Sequence, residues 1–340
     1  MSAPRIIVTG GAGFIGVNAA ARWLSKGWRV SVIDDLSRKG VDKNLAWLRK
    51  QGPVDFARID VRDAGRVRRF VESRSRGLEL VLHLAAQVAV TTSVEEPRRD
   101  FEINALGAFN VLEALRRLKR RPFALYSSTN KVYGGMEHVR VVLGAHQRYR
   151  YVGRPHGVSE KEPLDFHSPY GCSKGAADQY FRDYSRIYRM PTVVLRQSCI
   201  YGQHQQGNED QGWLAHFMKA ARAGEGLALY GDGKQVRDVL HIDDLIGVFE
   251  TCWKKRGRCA GRVYNIGGGP ENILSLIDLL RWISGRLGRR VEVRREGWRP
   301  GDQRVYVSDI RKAQRELGWK PRLDVEAGLV RLWDWLGRPQ

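Results

Sequence analysis

The stretch Gly10-Gly11-Ala12-Gly13-Phe14-Ile15-Gly16 decides the fold of this 340-residue chain. The apolar segment Arg5–Thr9 before it predicts a strand, and a helix is predicted to follow it to about Lys26. A second predicted strand, Arg29–Ile33, ends at Asp34. Strand, glycine turn, helix, strand and acidic residue follow one another in the order that a dinucleotide site requires, although the spacing is G-x-x-G-x-x-G rather than G-x-G-x-x-G.

The residues of this segment suit the parts of a dinucleotide. Glycines let the backbone close on a pyrophosphate, which sits at the N-terminus of the following helix. Asp34 is placed to accept hydrogen bonds from the hydroxyls of the adenosine ribose, and its charge would repel a 2′-phosphate. Arg38 lies near it in the sequence and weakens that exclusion. The cofactor predicted from these residues is NAD.

Strands and helices continue to alternate through the first half of the chain. Further strands are predicted at Asp55–Ile59, Leu80–Leu84 and Phe123–Tyr126, with a long helix over about Pro97–Leu118. This repetition predicts an α/β fold of the Rossmann type, a doubly wound parallel sheet with helices on both faces. Ligands bind at the carboxyl ends of such strands, where residues 127–131 fall.

The rest of the chain is predicted to complete this domain and to add a smaller C-terminal lobe for a substrate. We predict a dinucleotide-binding domain over residues 1–197, to which about 235–266 return, and a substrate lobe over most of 198–340. The polar segment Gly134–His167 shows no clear periodicity. It is predicted to be a loop near the active site, with a plain surface excursion as the alternative.

Composition narrows the classes of protein to which the chain can belong. Its formal net charge is +21 and its pI about 10.2, which favours an anionic partner. The basic residues are scattered along helices without a recognised nucleic-acid module, so a nucleotide substrate explains them more simply than specific nucleic-acid binding. The four cysteines form no C-x-x-C pair, and neither a metal site nor a disulfide framework is predicted. With no signal peptide or membrane-spanning run recognised, a cytoplasmic location is expected.

A tyrosine and a lysine stand one helical turn apart in the stretch Ser168-Pro169-Tyr170-Gly171-Cys172-Ser173-Lys174. Ser168 suits the N-cap and Pro169 the first turn, so a helix is predicted to begin here and to place Tyr170 and Lys174 on one face. An unperturbed phenol titrates near ~10, too high for a base at neutral pH. We expect the ammonium of Lys174, with a cationic nicotinamide, to favour the phenolate and make Tyr170 a base.

With further motifs, these residues resemble the extended short-chain dehydrogenases/reductases that act on nucleotide sugars. The motifs are the glycine loop, Asp34, His83-Leu84-Ala85-Ala86, Tyr170-x-x-x-Lys174, Arg237–Asp244 and Arg299-Pro300-Gly301-Asp302. The resemblance spans nearly the whole chain. Within this family, the stretches 128–134, 164–180 and 210–213 resemble the branch of CDP-paratose 2-epimerases, also called CDP-tyvelose epimerases.

The resemblance implies a catalytic set of Thr129, Tyr170 and Lys174. Tyr170 would take the proton of a sugar hydroxyl, Thr129 would hydrogen-bond the same oxygen, and Lys174 would hold the nicotinamide ribose. The residues that would hold NAD are Gly10, Gly13, Phe14, Ile15, Gly16, Asp34, Ser37, Arg38, Asp60, Val61, Leu84, Ala85, Ala86, Gln87, Asn104, Ser127, Tyr170, Lys174 and Gln197. Those that would contact the nucleotide sugar are Thr91, Thr129, Asn130, Lys131, Cys199, Gln211, Trp213, Arg237, Arg299, Asp302 and Tyr306.

Two positions differ from the pattern of related enzymes. The related 4,6-dehydratases have an Asp-Glu pair where this chain has Asn130-Lys131. Dehydration needs an acid and a base, and Asn130 can serve as neither. Many family members have an asparagine where this chain has Cys199, which leaves the nucleotide contact at that position open. Because Asn130-Lys131 replace the acid pair, oxidation followed by re-reduction is favoured over elimination.

The function favoured by the resemblance is NAD-dependent epimerisation of a CDP-sugar at C2, with CDP-paratose and CDP-tyvelose as the expected pair. The alternatives are a CDP-glucose/CDP-mannose 2-epimerase, a UDP-sugar 4-epimerase and, from another class, a non-catalytic NAD-binding sensor or scaffold. The resemblance also implies a homodimer formed through the helices at about 98–118 and 170–188, with which the apolar Phe101, Leu112 and Leu115 are compatible.

Overall fold

The computed structural model of the chain describes residues 3–208, 210–298 and 302–338. Its strands are β1 (Arg5–Thr9), β2 (Arg29–Asp34), β3 (Val54–Arg58), β4 (Leu78–His83), β5 (Phe123–Thr129), β6 (Val141–Leu143), β7 (Tyr149–Tyr151), β8 (Thr192–Gln197), β9 (Cys199–Tyr201), β10 (Leu227–Tyr230), β11 (Val236–His241), β12 (Val263–Ile266), β13 (Ile273–Ser275), β14 (Val293–Glu296) and β15 (Val305–Tyr306).

The α-helices are, in chain order, α1 (Phe14–Leu24), α2 (Val41–Gln51), α3 (Ala64–Ser73), α4 (Val90–Glu95), α5 (Pro97–Phe101), α6 (Gly107–Arg116), α7 (Ser168–Tyr188), α8 (Trp213–Ala223), α9 (Ile242–Lys254), α10 (Arg256–Cys259), α11 (Leu276–Leu287), α12 (Arg311–Leu317) and α13 (Val325–Leu336). A π-helical turn over Glu102–Leu106 joins α5 to α6, and 3-10 turns span Asn130–Tyr133 and Ala145–Gln147.

Seven parallel strands form the main sheet, in the order β12-β8-β5-β4-β1-β2-β3. The strand order reverses between β1 and β4, and a ligand crevice forms at such a switch point, outside the carboxyl ends of the strands. The predicted Rossmann-type fold is therefore confirmed, and its glycine turn and the end of β4 both face the crevice.

Successive residues of β1 point to opposite faces of this sheet. Ile6 belongs to the core on one face, with Trp23 of α1 and Phe249 of α9. Ile7 belongs to the core on the other face, with residues of α3, α6 and α7 such as Phe181. Full burial of each such side chain stabilises the fold by about 1.5–3 kcal/mol, which fixes the strand ends that carry the site.

A smaller group of strands lies after β8. Strand β11 pairs with β9 and β15 in parallel and with β13 in the antiparallel sense, and β10 pairs with β14. Helices α8, α11 and α13 cover a separate apolar core that includes Met218, Ile283 and Leu332. Strand β12 lies at the edge of the main sheet instead. The division of the chain at residue 197 stays a prediction.

The segment Gly134–His167 is not wholly a loop. It contains a short hairpin in which β6 and β7 pair, and the hydroxyl of Tyr151 donates to the carbonyl oxygen of Val305 at 2.7 Å. Each hairpin strand has three residues, too few for period-two alternation to be recognised in the sequence. The prediction of a loop is therefore wrong over the hairpin.

The predicted helix over about Pro97–Leu118 is present as a continuous helical run, Pro97–Arg116, that contains a π-helical turn. Helix α5 ends at Phe101, and a π-helical turn over Glu102–Leu106 precedes α6. Leu112 and Leu115 of α6 are buried in the core of the main sheet, so their assignment to a dimer surface is wrong. Phe101 is 56% exposed.

Membrane-spanning helices and metal-binding clusters are both missing from the described residues. No helix within residues 3–208, 210–298 and 302–338 is both long and apolar enough to cross a bilayer. In the same ranges no three His, Cys, Asp or Glu side chains are grouped as they would be around a metal ion. The four cysteines are free thiols.

Candidate active site

The glycine turn between β1 and α1 brings three backbone segments into close contact. Gly10 has a φ of +66°, and a Cβ there would lie 2.7 Å from the backbone nitrogen of Ala85. A Cβ on Gly16 would lie 2.1 Å from the carbonyl oxygen of Gly10, whereas on Gly13 the same distance would be 3.2 Å. Only glycine fits at Gly10 and Gly16, and the resulting turn leaves the helix N-terminus open for a pyrophosphate.

Asp34 ends β2 and fixes the same turn. One of its carboxylate oxygens accepts from the backbone nitrogen of Ala12 at 3.1 Å, and the other from that of Leu36 at 2.9 Å. Burial raises the pKa of Asp34, and these two backbone hydrogen bonds act against the rise. The residue predicted to bind the adenosine ribose therefore also orders the glycine turn.

A cleft of about 350 Å³ lies along this turn and the neighbouring strand ends. Fourteen of the nineteen residues predicted to hold NAD line it: Gly10, Gly13, Phe14, Ile15, Gly16, Asp34, Ser37, Arg38, Asp60, Val61, Leu84, Ala85, Ala86 and Gln87. The other five lie outside its lining: Asn104, Ser127, Tyr170, Lys174 and Gln197.

Gln197 offers an independent sign that a polar ligand belongs beside the cleft. It is 5% exposed and pairs with Thr129 in the register of β5 and β8. Its amide nitrogen is buried and, among the described residues, has no hydrogen-bond partner. An unpaired buried donor is costly, and the carboxamide of a nicotinamide is a suitable partner. Together with the glycine turn, this donor fits NAD.

Two predicted substrate residues lie elsewhere than expected. Gln211 lines the cofactor cleft, where its side-chain oxygen accepts from the guanidinium of Arg38 at 2.7 Å. Thr91 is exposed on α4, and it is the next residue, Thr92, that lines the cleft. The sequence did not indicate the approach to the cleft of a segment that follows β9 in the second half of the chain, namely His204, Gln205, Gln206, Asn208 and Gln211.

Helix α7 begins as predicted around Ser168 and presents Tyr170 and Lys174. Ser168 has a φ of +69°, and its hydroxyl accepts from the backbone nitrogen of Gly171 at 3.2 Å, the contact of an N-cap. Lys174 is 4% exposed, donates to the carbonyl oxygen of Ser127 at 2.6 Å and lies 4.4 Å from the ring centre of Tyr126. The helix thus meets the carboxyl end of β5.

The pKa values of Tyr170 and Lys174 are set mainly by burial. Burial raises the pKa of Tyr170 to about 12, while the hydroxyl of Thr129 and the charge of Arg38 act to lower it. Burial lowers the pKa of Lys174 to about 7, against the carboxylates of Asp100 and Asp178. Burial thus outweighs the neighbouring charges at both groups, and the effect of Lys174 together with a nicotinamide on the phenol stays a prediction.

Several predicted substrate residues interact electrostatically around Lys131. Burial and the charge of Arg237 lower the pKa of Lys131 to about 8, although Asp302 and Cys199 act to raise it. Burial raises the pKa of Cys199, which Arg237 and Trp213 act to lower. Opposed charges and polar side chains of this kind suit a nucleoside diphosphate, in which a cationic patch meets phosphate.

Asn130, Tyr306 and Arg299 are the remaining residues predicted to contact the substrate. Asn130 adjoins Thr129, whose hydroxyl points to its side-chain oxygen at 3.4 Å. Tyr306 is fully buried and stacks on Tyr133, with ring centres 6.4 Å apart. Arg299 lies outside the described residues.

Comparison with protein families decides the relationship. Residues 7–332 match the GDP-mannose 4,6-dehydratase family. This chain belongs to that family. Its members are extended short-chain dehydrogenases/reductases, so the resemblance predicted from the motifs is confirmed.

Individual relatives match this chain over nearly its whole length. The CDP-paratose 2-epimerase of Salmonella typhi is 41% identical over 336 residues, which are 97% of this chain and 98% of that protein. The structure of a UDP-glucose 4-epimerase from Thermotoga maritima with UDP-glucose has a TM-score of 0.84 and 29% identity, covering 97% of this chain and 98% of that one. A dTDP-glucose 4,6-dehydratase of Streptomyces venezuelae with NAD bound has a TM-score of 0.83 and 30% identity, covering 97% and 96%.

These relationships establish the class of enzyme. The chain is an NAD-dependent epimerase of the extended short-chain dehydrogenase/reductase type. The alternative of a non-catalytic sensor is therefore wrong. Which sugar is turned over, and at which carbon, depends on the substrate side of the site.

A buried ion pair of this family member joins α7 to β8, and the sequence did not indicate it. Arg196 and Asp178 are 2% and 0% exposed and form two N–O contacts of 2.9 Å. Asp178 also accepts from the hydroxyl of Ser128 at 2.8 Å, and Arg196 donates to that of Tyr133 at 3.0 Å. An arginine in a strand and an aspartate in a helix 18 positions earlier leave no spacing signal in the sequence.

Proposed function

We propose that this enzyme is a nucleotide-sugar 2-epimerase that acts on a CDP-sugar of the CDP-paratose/CDP-tyvelose type. The observation that carries the proposal is the meeting of Thr129 and Tyr170 at the end of β5, followed directly by Asn130 and Lys131 rather than by an acid pair. The identity of 41% with a CDP-paratose 2-epimerase over almost the whole chain supports the substrate.

The side chains at the end of β5 divide the chemistry among them. Tyr170 takes the proton of the C2 hydroxyl, and Thr129 hydrogen-bonds the same oxygen as it becomes a carbonyl. Lys174 uses one N–H on Ser127, which leaves two N–H groups of its ammonium for a cofactor ribose. Bound NAD would supply hydride acceptance and return at C2, and inversion would require the keto-sugar to turn over in the pocket between the two transfers. Tyr170 then gives its proton back, so no net oxidation occurs.

The residues after Thr129 favour this cycle over elimination of water. Loss of a hydroxyl group needs a proton donor at the leaving oxygen and a base at the neighbouring carbon. Asn130 has neither property at neutral pH, and a single Lys131 cannot supply both. The enzyme therefore holds its 2-keto sugar until the hydride returns.

The proposal is tested by proton NMR of the purified enzyme with CDP-paratose, CDP-glucose, UDP-glucose and UDP-galactose. Inversion at C2 of CDP-paratose is the expected result, and Tyr170→Phe should abolish it while NAD binding is kept. Inversion of CDP-glucose but not of CDP-paratose would replace the substrate with the CDP-glucose/CDP-mannose pair. Full activity of Tyr170→Phe would contradict the mechanism.

A second candidate is epimerisation of a UDP-sugar at C4. It is favoured by the structural similarity to the Thermotoga maritima UDP-glucose 4-epimerase, with a TM-score of 0.84. The same NMR series separates the two, because inversion at C4 of only the UDP-sugars would establish this candidate and leave the hydride cycle intact.

We also propose that two copies of the chain associate through α5 and α7. Phe101 on α5 and Tyr180 and Ile187 on α7 are 56%, 46% and 64% exposed. Large apolar side chains of this exposure, on adjacent helices, suit a helix–helix interface. A cytoplasmic location stays a prediction.

A further inference from the structure

A buried carboxylate lies behind the catalytic helix, outside the residues already given a role. Asp100 on α5 is 0% exposed. Its carboxylate accepts from the hydroxyl of Ser173 and, at 3.0 Å, from the amide of Asn104. Both donors are neutral, and burial raises the pKa of Asp100. A buried carboxylate without a charged donor is costly, so its presence calls for a compensating cation.

The hydrogen bonds of Asp100 join the cofactor cleft to the catalytic helix. Ser173 directly precedes Lys174 on α7. Asn104 accepts from the backbone nitrogen of Gln87 at 2.9 Å and donates to its carbonyl oxygen at 3.0 Å, and Gln87 lines the cleft. Asn104 lies in the π-helical turn, a form often found at functional sites.

The cation that faces Asp100 is Lys174. From its own helix, Lys174 is faced by Asp178, which is held in the ion pair with Arg196. From β4 it is faced by His83, whose pKa burial lowers to about 3, and from β5 by the ring of Tyr126. Of these two carboxylates, Asp178 pairs with Arg196, whereas Asp100 accepts from the neutral donors Ser173 and Asn104.

We propose that Asp100 is a positioning residue for Lys174, which holds the turn of α7 through Ser173 and keeps the Lys174 side chain protonated through its negative charge. The inference rests on the proposed role of Lys174 and adds to it. A protonated Lys174 offers three donors, one to Ser127 and two to a cofactor ribose, and a neutral amine offers only two in all. Loss of the Asp100 charge therefore removes a donor that the cofactor site uses.

The experiment measures the pKa of Lys174 directly. Lysine labelled with ¹³C at Cε is incorporated into the whole chain, and the Lys174 signal is identified by its loss in Lys174→Arg. The signal is titrated between about pH 5 and about pH 10 in the wild type and in Asp100→Asn, with and without NAD. Glu95→Gln, which removes an exposed carboxylate at the end of α4, is the matched control.

Asp100→Asn should lower the pKa of Lys174 by about one unit, and Glu95→Gln should leave it unchanged. An unchanged pKa in folded Asp100→Asn would overturn the proposal. If that variant does not fold, Asp100→Ser keeps a polar partner for Asn104 and makes the same comparison. The titration uses no sugar, so failure of the 2-epimerase proposal and failure of this one are seen separately.

Discussion

The ion pair between Arg196 and Asp178 gives the sharpest prediction about stability. Both side chains are almost fully buried and are joined by two N–O contacts of 2.9 Å. Arg196→Met would remove the cation and leave Asp178 charged and buried. Breaking one side of such a pair costs about 3–5 kcal/mol, so the free energy of unfolding should fall by that amount.

The double variant Arg196→Met/Asp178→Leu separates the cost of a stranded charge from the worth of the pair. Replacement of both partners by apolar groups of similar volume is often neutral. The remaining losses are the hydrogen bonds of Asp178 with Ser128 and Gln179 and that of Arg196 with Tyr133, about 0.5–1 kcal/mol each. The double variant should therefore be more stable than Arg196→Met by at least about 1 kcal/mol.

Urea unfolding at constant pH measures these differences. Arg98→Met is the control, because Arg98 and Glu102 form an exposed pair in which the arginine side chain is 91% accessible. It should change the free energy of unfolding by less than about 1 kcal/mol. A loss below about 1 kcal/mol in Arg196→Met, or a double variant less stable than the single one, would refute the reasoning.

Three further predictions follow from single positions. Gly16→Ala should lower NAD affinity at least ~10-fold by calorimetry, because its Cβ would lie 2.1 Å from the Gly10 carbonyl oxygen, whereas Gly247→Ala, with nothing within 4 Å, should bind normally. Burial lowers the pKa of Lys174 from 10.5 to about 7, so folding releases a proton from this side chain between those pH values. Lys174→Met should therefore raise the free energy of unfolding most below about pH 7, and the gain should vanish towards pH 10.5. A gain that grows with pH in urea titrations would contradict this. Ile187→Glu should convert a dimer to a monomer by light scattering, and a wild-type monomer would rule the interface out.

The main sheet could be predicted from the sequence because its signals are local. Strand β1 is centred on the apolar run Ile6–Val8, β12 is mainly apolar, and the glycine turn stands between a strand and a helix. Strands such as β9 and β15 have only three and two residues and depend on pairing with β11, so no local pattern marks them.

The cofactor residues could be predicted because they follow strand ends directly, as Asp34 follows Ile33. The approach of Gln211 to Arg38 could not, because it joins residues 173 positions apart. The pKa of Tyr170 depends on features of both kinds. The spacing to Lys174 is visible in the sequence, but the burial that dominates the pKa is a property of the packed site.

In the proposed mechanism, C2 is inverted by transfer of its own hydrogen as a hydride. CDP-paratose deuterated at C2 should give CDP-tyvelose that keeps the deuterium at C2, without exchange into water, when followed by NMR and mass spectrometry. Loss of the deuterium to solvent would show that C2 loses a proton rather than a hydride, and it would contradict the mechanism assigned to Tyr170 and Thr129.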